Sequence, residues 1–184
     1  EMSRRYLHCD PLVLGPDLKI GVNLLIDNPQ ELGADRIANA VAGYELYGGP
    51  LVIVDFGTAT TFDAISATGD YLGGVIAPGI GISMDALFLR AAKLPKVELI
   101  RPQQVIGRNT VASMQSGLIY GFAGQVDGIV KRMSREFASP PQVVATGGLA
   151  ALICQETETK MLINQLLTLR GLQIIFTRTT NNSN

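Results

Sequence analysis

The sequence predicts an α/β layer fold, a short sheet covered by helices, and three observations carry that expectation. Leu51-Val52-Ile53-Val54 is a continuous apolar run rich in β-branched residues, which suits a strand buried on both faces. A returning run, Thr61 to Ile65, and a third at Tyr71 to Ile76 follow it across tight turns. Helical periodicity then takes over in a long apolar-striped stretch from Val111 to Phe137, before another short strand at Val143 to Thr146.

Taken in order, residues 1–15 are mixed, with Pro11 and Gly15-Pro16 marking loops. Gly21 to Ile26 is a short strand-like run, and Asp27-Asn28-Pro29 turns the chain. Ile37, Ala40, Val41 and Tyr44 recur at helical spacing from Ala34 onward, and Gly48-Gly49-Pro50 ends that helix. Asp35 falls in its first turn, where the helix dipole favours a negative charge by roughly 0.3–1 kcal/mol. Gly69-Asp70 makes the turn before the third strand, whose Gly73-Gly74 pair suggests close backbone approach. Pro78 to Gly81 leads into a helix as far as about Lys93, stopped by Leu94-Pro95. A polar loop, Val97 to Arg108, precedes Asn109-Thr110, which reads as the cap of the long helix. A helix is expected from about Leu149, another over Leu166 to Phe176, and a frayed end from Thr179.

The chemistry concentrates where the first strand ends. Asp55-Phe56-Gly57-Thr58-Ala59-Thr60-Thr61 offers backbone N–H groups and hydroxyls converging on one small volume, as a phosphate requires. Asp55, held at the strand end, can carry a cation or its water shell against that phosphate. An ordinary hairpin turn with a turn-forming Asp accounts for the same residues equally well when they are taken alone.

Composition narrows the function classes. The 184-residue chain is 47% apolar and 17% charged, so it has material for a buried core. A net charge of −1 without a basic run argues against nucleic acid or an anionic membrane as the main partner. Cys9 and Cys154 stand in no metal-like spacing and read as reduced thiols of a cytoplasmic protein. His8 has no partner motif and is assigned to the surface. The most apolar region, Gly73 to Leu94, is interrupted by Pro78, Asp85 and Arg90, so no membrane span is expected. There is no P-loop signature, and Gly79-Ile80-Gly81 is not completed to a dinucleotide fingerprint.

Several segments together resemble a known family. Leu32-Gly33-Ala34-Asp35-Arg36-Ile37-Ala38-Asn39, the Asp55–Thr61 segment, Gly73-Gly74-Val75-Ile76-Ala77-Pro78-Gly79, Lys93-Leu94-Pro95, Ile106-Gly107-Arg108-Asn109-Thr110 and Thr146-Gly147-Gly148 occur in that order. Each is weak alone; their joint order resembles type III pantothenate kinase, an enzyme of coenzyme A biosynthesis. The likeness spans about Gly21 to Phe176. It implies the actin-like superfold of acetate and sugar kinases and Hsp70, with ATP between two RNase H-like halves. It also implies a homodimer, Mg-ATP and a monovalent cation, K+ or NH4+. By motif, Asp35 becomes the base that accepts the hydroxyl proton of pantothenate. Gly33, Ala34, Arg36 and Thr110 line the substrate site, Asp55 holds the monovalent cation, Gly57, Thr58 and Thr60 embrace the ATP phosphates, and Gly147 and Gly148 approach the adenosine. Each residue also has a plain reading: Asp35-Arg36 as a helix-start pair, Thr110 as a cap, Gly147-Gly148 as a strand-to-helix turn.

On this likeness, residues 1–48 close an amino-terminal half and include the Gly-Ala-Asp-Arg helix. Residues 49–178 form the carboxy-terminal half, and 179–184 a disordered tail. The family's opening Asp-x-Gly-Asn-Thr phosphate motif does not occur, so most of the amino-terminal half is expected to be missing and the isolated fragment to be inactive. Ile26 stands where many members carry a tyrosine that lines the pantothenate pocket. A non-catalytic relative acting as a transcription accessory factor is the alternative function.

Overall fold

The computed structural model describes residues 2–15 and 21–181. A five-stranded mixed sheet, in the order β3-β2-β1-β4-β5, lies between two helical layers. Strands β1 (Leu51–Phe56), β2 (Ala59–Ile65) and β3 (Tyr71–Pro78) form an antiparallel meander. Strands β4 (Gln142–Thr146) and β5 (Leu162–Ile163) join it in parallel beyond β1.

Alternation along β1 explains why both faces of the sheet are covered. Val52, Val54 and Phe56 face a core closed by α3 (Ile80–Arg90), α4 (Thr110–Met133) and the single turn α5 (Ala150–Ile153). Leu51 and Ile53 face the opposite core, closed by α2 (Ala34–Tyr47) and α6 (Leu167–Asn181). A strand buried on both faces needs the continuous apolar run that the sequence supplies there.

Helix α2, assigned by sequence to the end of an amino-terminal half, is packed as part of this unit. Its Ile37, Ala38 and Val41 are buried with Leu51, Ile53, Leu167 and Ile175 in one core. The boundary expected at residue 48 therefore does not separate two cores. Gly171 brings the helices together, since a Cβ there would strike the Ala38 backbone. Side chains tie the layer further, Asn164 Nδ2 donating to the Tyr47 hydroxyl at 3.0 Å.

Several boundaries depart from the sequence expectation for local reasons. Gly21 to Ile26 makes a single bridge, Leu24 to Tyr71, rather than a strand. It meets the sheet beside the register shift at Ala64/Ile65, where regular pairing is already broken. The long helix ends at Met133 and gives way to a 3-10 turn over Ser134–Glu136. The helix expected from Leu149 is one turn only, and the two-residue edge strand β5 had no periodicity to announce it. The tail expected to fray from Thr179 is helical to Asn181, with the Thr179 and Thr180 hydroxyls donating to the Ile175 and Phe176 carbonyls. Residues 182–184 lie outside the described residues. A six-residue helix, α1 (Met2–Leu7), precedes the exposed His8. No helix among the described residues is long and apolar enough to cross a membrane.

Candidate active site

The carboxyl ends of the parallel strands β1 and β4 open side by side at one end of the sheet, where α/β folds place their ligands. Asp55 sits next to the last residue of β1 and points to the α2 side, flanked in register by Thr61 and Thr146. From α2, Asn39 reaches it: Nδ2 donates to Asp55 Oδ2 at 3.0 Å. The amide's orientation is dictated from behind, because Thr168 of α6 donates its hydroxyl to Asn39 Oδ1 at 2.8 Å. Asn39 is wholly buried, so both ends of its amide are used.

Asp35 lies one helical turn before Asn39 on α2. Its Oδ1 accepts from the Arg36 backbone N–H at 2.9 Å, and the side chain is exposed. Gly33, the N-cap, clears its way, because a Cβ there would sit on Asp35 Oδ1. Burial pushes the Asp55 carboxyl above the usual range, the Asn39 hydrogen bond pulls it back, and the Asp35 charge pushes it up again. The two acids that sequence reasoning singled out are linked through Asn39, one helical turn from Asp35 and hydrogen-bonded to Asp55.

Around the crevice at the ends of β1 and β4 the expected residues divide. Gly57 and Thr58 form the exposed bend beyond β1, closed by the Gly57 N–H donating to the Ala59 carbonyl at 3.1 Å. Gly79, the N-cap of α3, packs on this bend, since a Cβ there would collide with the Thr58 carbonyl. Gly147 presses on the end of β1 with φ +92°, and its missing Cβ leaves room beside Phe56 O and Asp55 Oδ1. Gly148 is exposed and open, with nothing within 4 Å of a built Cβ.

Two expected residues are not brought in. The Thr60 side chain is wholly buried on the opposite face from Asp55, in the layer of Phe56 and Phe62, so its hydroxyl does not face the crevice. Strand alternation is the reason: Thr61, not Thr60, shares the face of Asp55. Thr110 begins α4 across the sheet from α2 and lines a groove of about 870 Å³ with Ser83, Leu87, Arg90 and Met114 of the α3–α4 layer. Within one chain it is remote from Asp35. The cap itself is as expected, Asn109 Oδ1 accepting from the Ala112 N–H at 2.8 Å.

Arg36 points away from Asp35 into a second recess, a cavity of about 410 Å³ lined by Ile26, Arg36, Tyr71 and Gly74 together with the acids Asp27 and Glu31. Its guanidinium pairs with the fully buried Asp63 of β2 at 2.7–2.8 Å. Burial works against the Arg36 charge, but Asp63 outweighs it and raises the arginine's pKa. Burial likewise pushes the Asp63 carboxyl up, against the pull of Arg36 and the Tyr71 hydroxyl. Sequence reasoning missed Asn39, Thr61 and Asp63. The alternation Asp55, Thr61, Asp63 on one sheet face was the available signal, as was Asn39 four residues after Asp35.

Oxygen atoms line the space beside Asp55. A carboxylate oxygen and the Phe56 carbonyl border the hollow that a Cβ at Gly147 would fill. Thr61 Oγ1, across from Asp55 in register, is buried without a partner. Gly147→Ala is therefore expected to cost roughly 1–3 kcal/mol, from its φ and the contact with Phe56 O. Gly148→Ala, into open space, is expected to stay within about 0.5 kcal/mol. Chemical denaturation midpoints of the two variants check the contrast.

The family profile described as type III pantothenate kinase matches residues 1–132. Over 180 residues the chain is 59% identical to the type III pantothenate kinase of Moorella thermoacetica, covering 98% of this chain and 71% of that one. It is 56% identical over 176 residues to the enzyme of the same name from Halalkalibacterium halodurans, covering 96% and 69%. Among solved structures, a conserved Campylobacter jejuni protein named for the Baf family of transcriptional activators superposes with a TM-score of 0.61 at 26% identity, covering 88% of this chain and 71% of that one. The activator of 2-hydroxyisocaproyl-CoA dehydratase from Clostridium difficile, with bound ADPNP, gives 0.54 at 14% identity, covering 81% and 68%, a likeness of fold alone. The mixed sheet flanked by helices is that of the actin-like ATPase fold.

Proposed function

The chain belongs to the type III pantothenate kinase family, and from that premise we propose how its residues divide the work of phosphorylating pantothenate with ATP. The product is 4′-phosphopantothenate, and the reaction opens coenzyme A biosynthesis. The observation that carries the assignment is Asp55 at the carboxyl end of β1, beside the Gly57–Thr58 bend and bonded by Asn39 one helical turn from Asp35. Phosphoryl transfer asks for aligned phosphates, charge neutralisation and one oriented acceptor oxygen, and little covalent chemistry from the protein.

The bend offers the backbone N–H and hydroxyl of exposed Thr58 to the phosphates of ATP, with Gly147 and Gly148 beside them for the nucleoside. Thr60 serves as backbone support for this bend. Asp35, exposed at the head of α2, accepts the hydroxyl proton of pantothenate as its oxygen bonds to the γ-phosphorus and the bond to ADP breaks. Arg36, Gly33 and Ala34 border the acceptor side. Pantothenate is an anion at the end remote from the reacting hydroxyl, and Arg36 supplies the matching positive charge at the cavity wall. Ile26 adds apolar contact in the same wall.

Asp55 Oδ1, with Phe56 O, would hold the monovalent cation, K+ or NH4+, which supplies positive charge near the phosphates. Magnesium enters bound to the phosphates of ATP. A homodimer accounts for Thr110. The α3–α4 groove is apolar and flanked by exposed Ile82, Phe88 and Leu89, so a second copy seated there would bring Thr110 toward a neighbour's acceptor site. The net charge of −1 favours small-molecule substrates over nucleic acid or membrane.

The test is ADP formation dependent on both ATP and pantothenate in the intact enzyme, with the phosphomonoester identified by phosphorus NMR. Pantothenate-independent ATP hydrolysis, or none, would overturn the assignment. The likeness to the Campylobacter jejuni protein favours a regulatory relative as a second reading. The same assay separates the two, since a regulator would bind without turning over.

A further inference from the structure

The Arg36 guanidinium is held on three sides by groups for which the reaction has no direct use. Asp63 receives both Nε, at 2.8 Å, and Nη2, at 2.7 Å, on its single oxygen Oδ1. Tyr71 donates its hydroxyl to that same oxygen at 2.7 Å, and its ring centroid lies 5.8 Å from the guanidinium carbon. Gly74 keeps the third side clear, because a Cβ there would meet Nη2 at 2.7 Å. Among the described residues, Nη1 has no partner, and the arginine side chain is 15% exposed at a cavity wall on which it is the one cation beside Asp27 and Glu31.

Stability does not explain this arrangement. A buried ion pair returns little or nothing against a well-packed apolar substitute. Here the balance is worse still, since Asp63 Oδ2 is buried with no hydrogen-bond partner among the described residues. What the cluster does accomplish is placement. An arginine normally samples many rotamers, whereas this one is stacked, paired and confined, so its remaining N–H edge meets a ligand with little left to order.

We propose that Asp63 and Tyr71 are positioning residues that set substrate preference: they lock Arg36 so that its unpaired edge selects an acceptor ending in a carboxylate over a neutral analogue of the same shape. This rests on the assignment of the cavity to pantothenate. Neither residue touches the reacting atoms. Their effect is read in discrimination rather than in turnover.

The experiment measures kcat and KM in the intact enzyme for pantothenate and for its alcohol analogue, in which the carboxylate is replaced by CH2OH. Tyr71→Phe keeps the ring and removes only the hydroxyl, and Asp63→Asn removes the charge. Tyr71→Phe is expected to raise KM for pantothenate about five- to tenfold, with kcat, KM for ATP and the analogue's constants within about twofold of wild type. Asp63→Asn is expected to erode the preference further. A merely structural role would depress both acceptors alike. A folded Tyr71→Phe enzyme with the wild-type preference overturns the proposal, and that variant decides even if Asp63→Asn fails to fold. A wild-type enzyme that uses both acceptors equally also overturns it. An enzyme that phosphorylates neither overturns the pantothenate assignment, and this proposal with it.

Discussion

Asp35→Asn is expected to lower kcat by about 10²–10⁴-fold while leaving KM for ATP within about twofold. The variant keeps the shape at the head of α2, and its amide oxygen can still accept from the Arg36 N–H that now bonds the carboxylate. What it loses is the capacity to take a proton. The side chain is exposed, so the fold has little stake in it and a drop in rate cannot be blamed on unfolding. Steady-state kinetics together with a nucleotide titration of the same preparation separate the two effects. Unchanged turnover would remove Asp35 from the role of base.

Asp55→Asn should move function and stability in opposite directions. The substitution is expected to weaken the response to potassium by at least about 10²-fold, because the amide oxygen replaces a charged ligand. Thermal stability without monovalent cation is expected to rise. Burial and the Asp35 charge raise the Asp55 pKa above its unfolded value. Its stabilising contribution is therefore present below the unfolded pKa and disappears as pH climbs through the folded one. At neutral pH the ionised carboxylate weakens the fold, and the neutral amide relieves that strain. Melting curves at acid and neutral pH check the sign: the variant's advantage should grow with pH. A lower melting temperature at neutral pH, or an unaltered potassium response, would sink the assignment.

The strands and helices that frame the site were readable because burial on both faces leaves an unmistakable run at Leu51–Val54, and helical periodicity is strong in α2 and α4. Asp35 and Asp55 were readable as motif residues, and Asn39 stood on the same helix face as Asp35, yet nothing in either motif reveals that Thr168 braces Asn39. That link depends on α6 lying against α2, a tertiary choice made by Gly171 and a shared apolar core. Thr60 was misplaced for a simpler reason. A motif lists residues in a row, whereas a strand sends neighbours to opposite sides, so only every second residue of Thr60-Thr61-Phe62-Asp63 can face the crevice. Thr110 belongs to the opposite layer, and only a sheet topology could have said so.

The Thr168–Asn39 contact spans 129 positions of chain, and it is the brace behind the Asp55 carboxylate. Contacts between such distant partners form only after a large loss of loop entropy, and topologies rich in them fold slowly. The meander β1–β3 can zip up from local pairings long before α6 docks. A newly made molecule should thus own its meander first and its braced acid last.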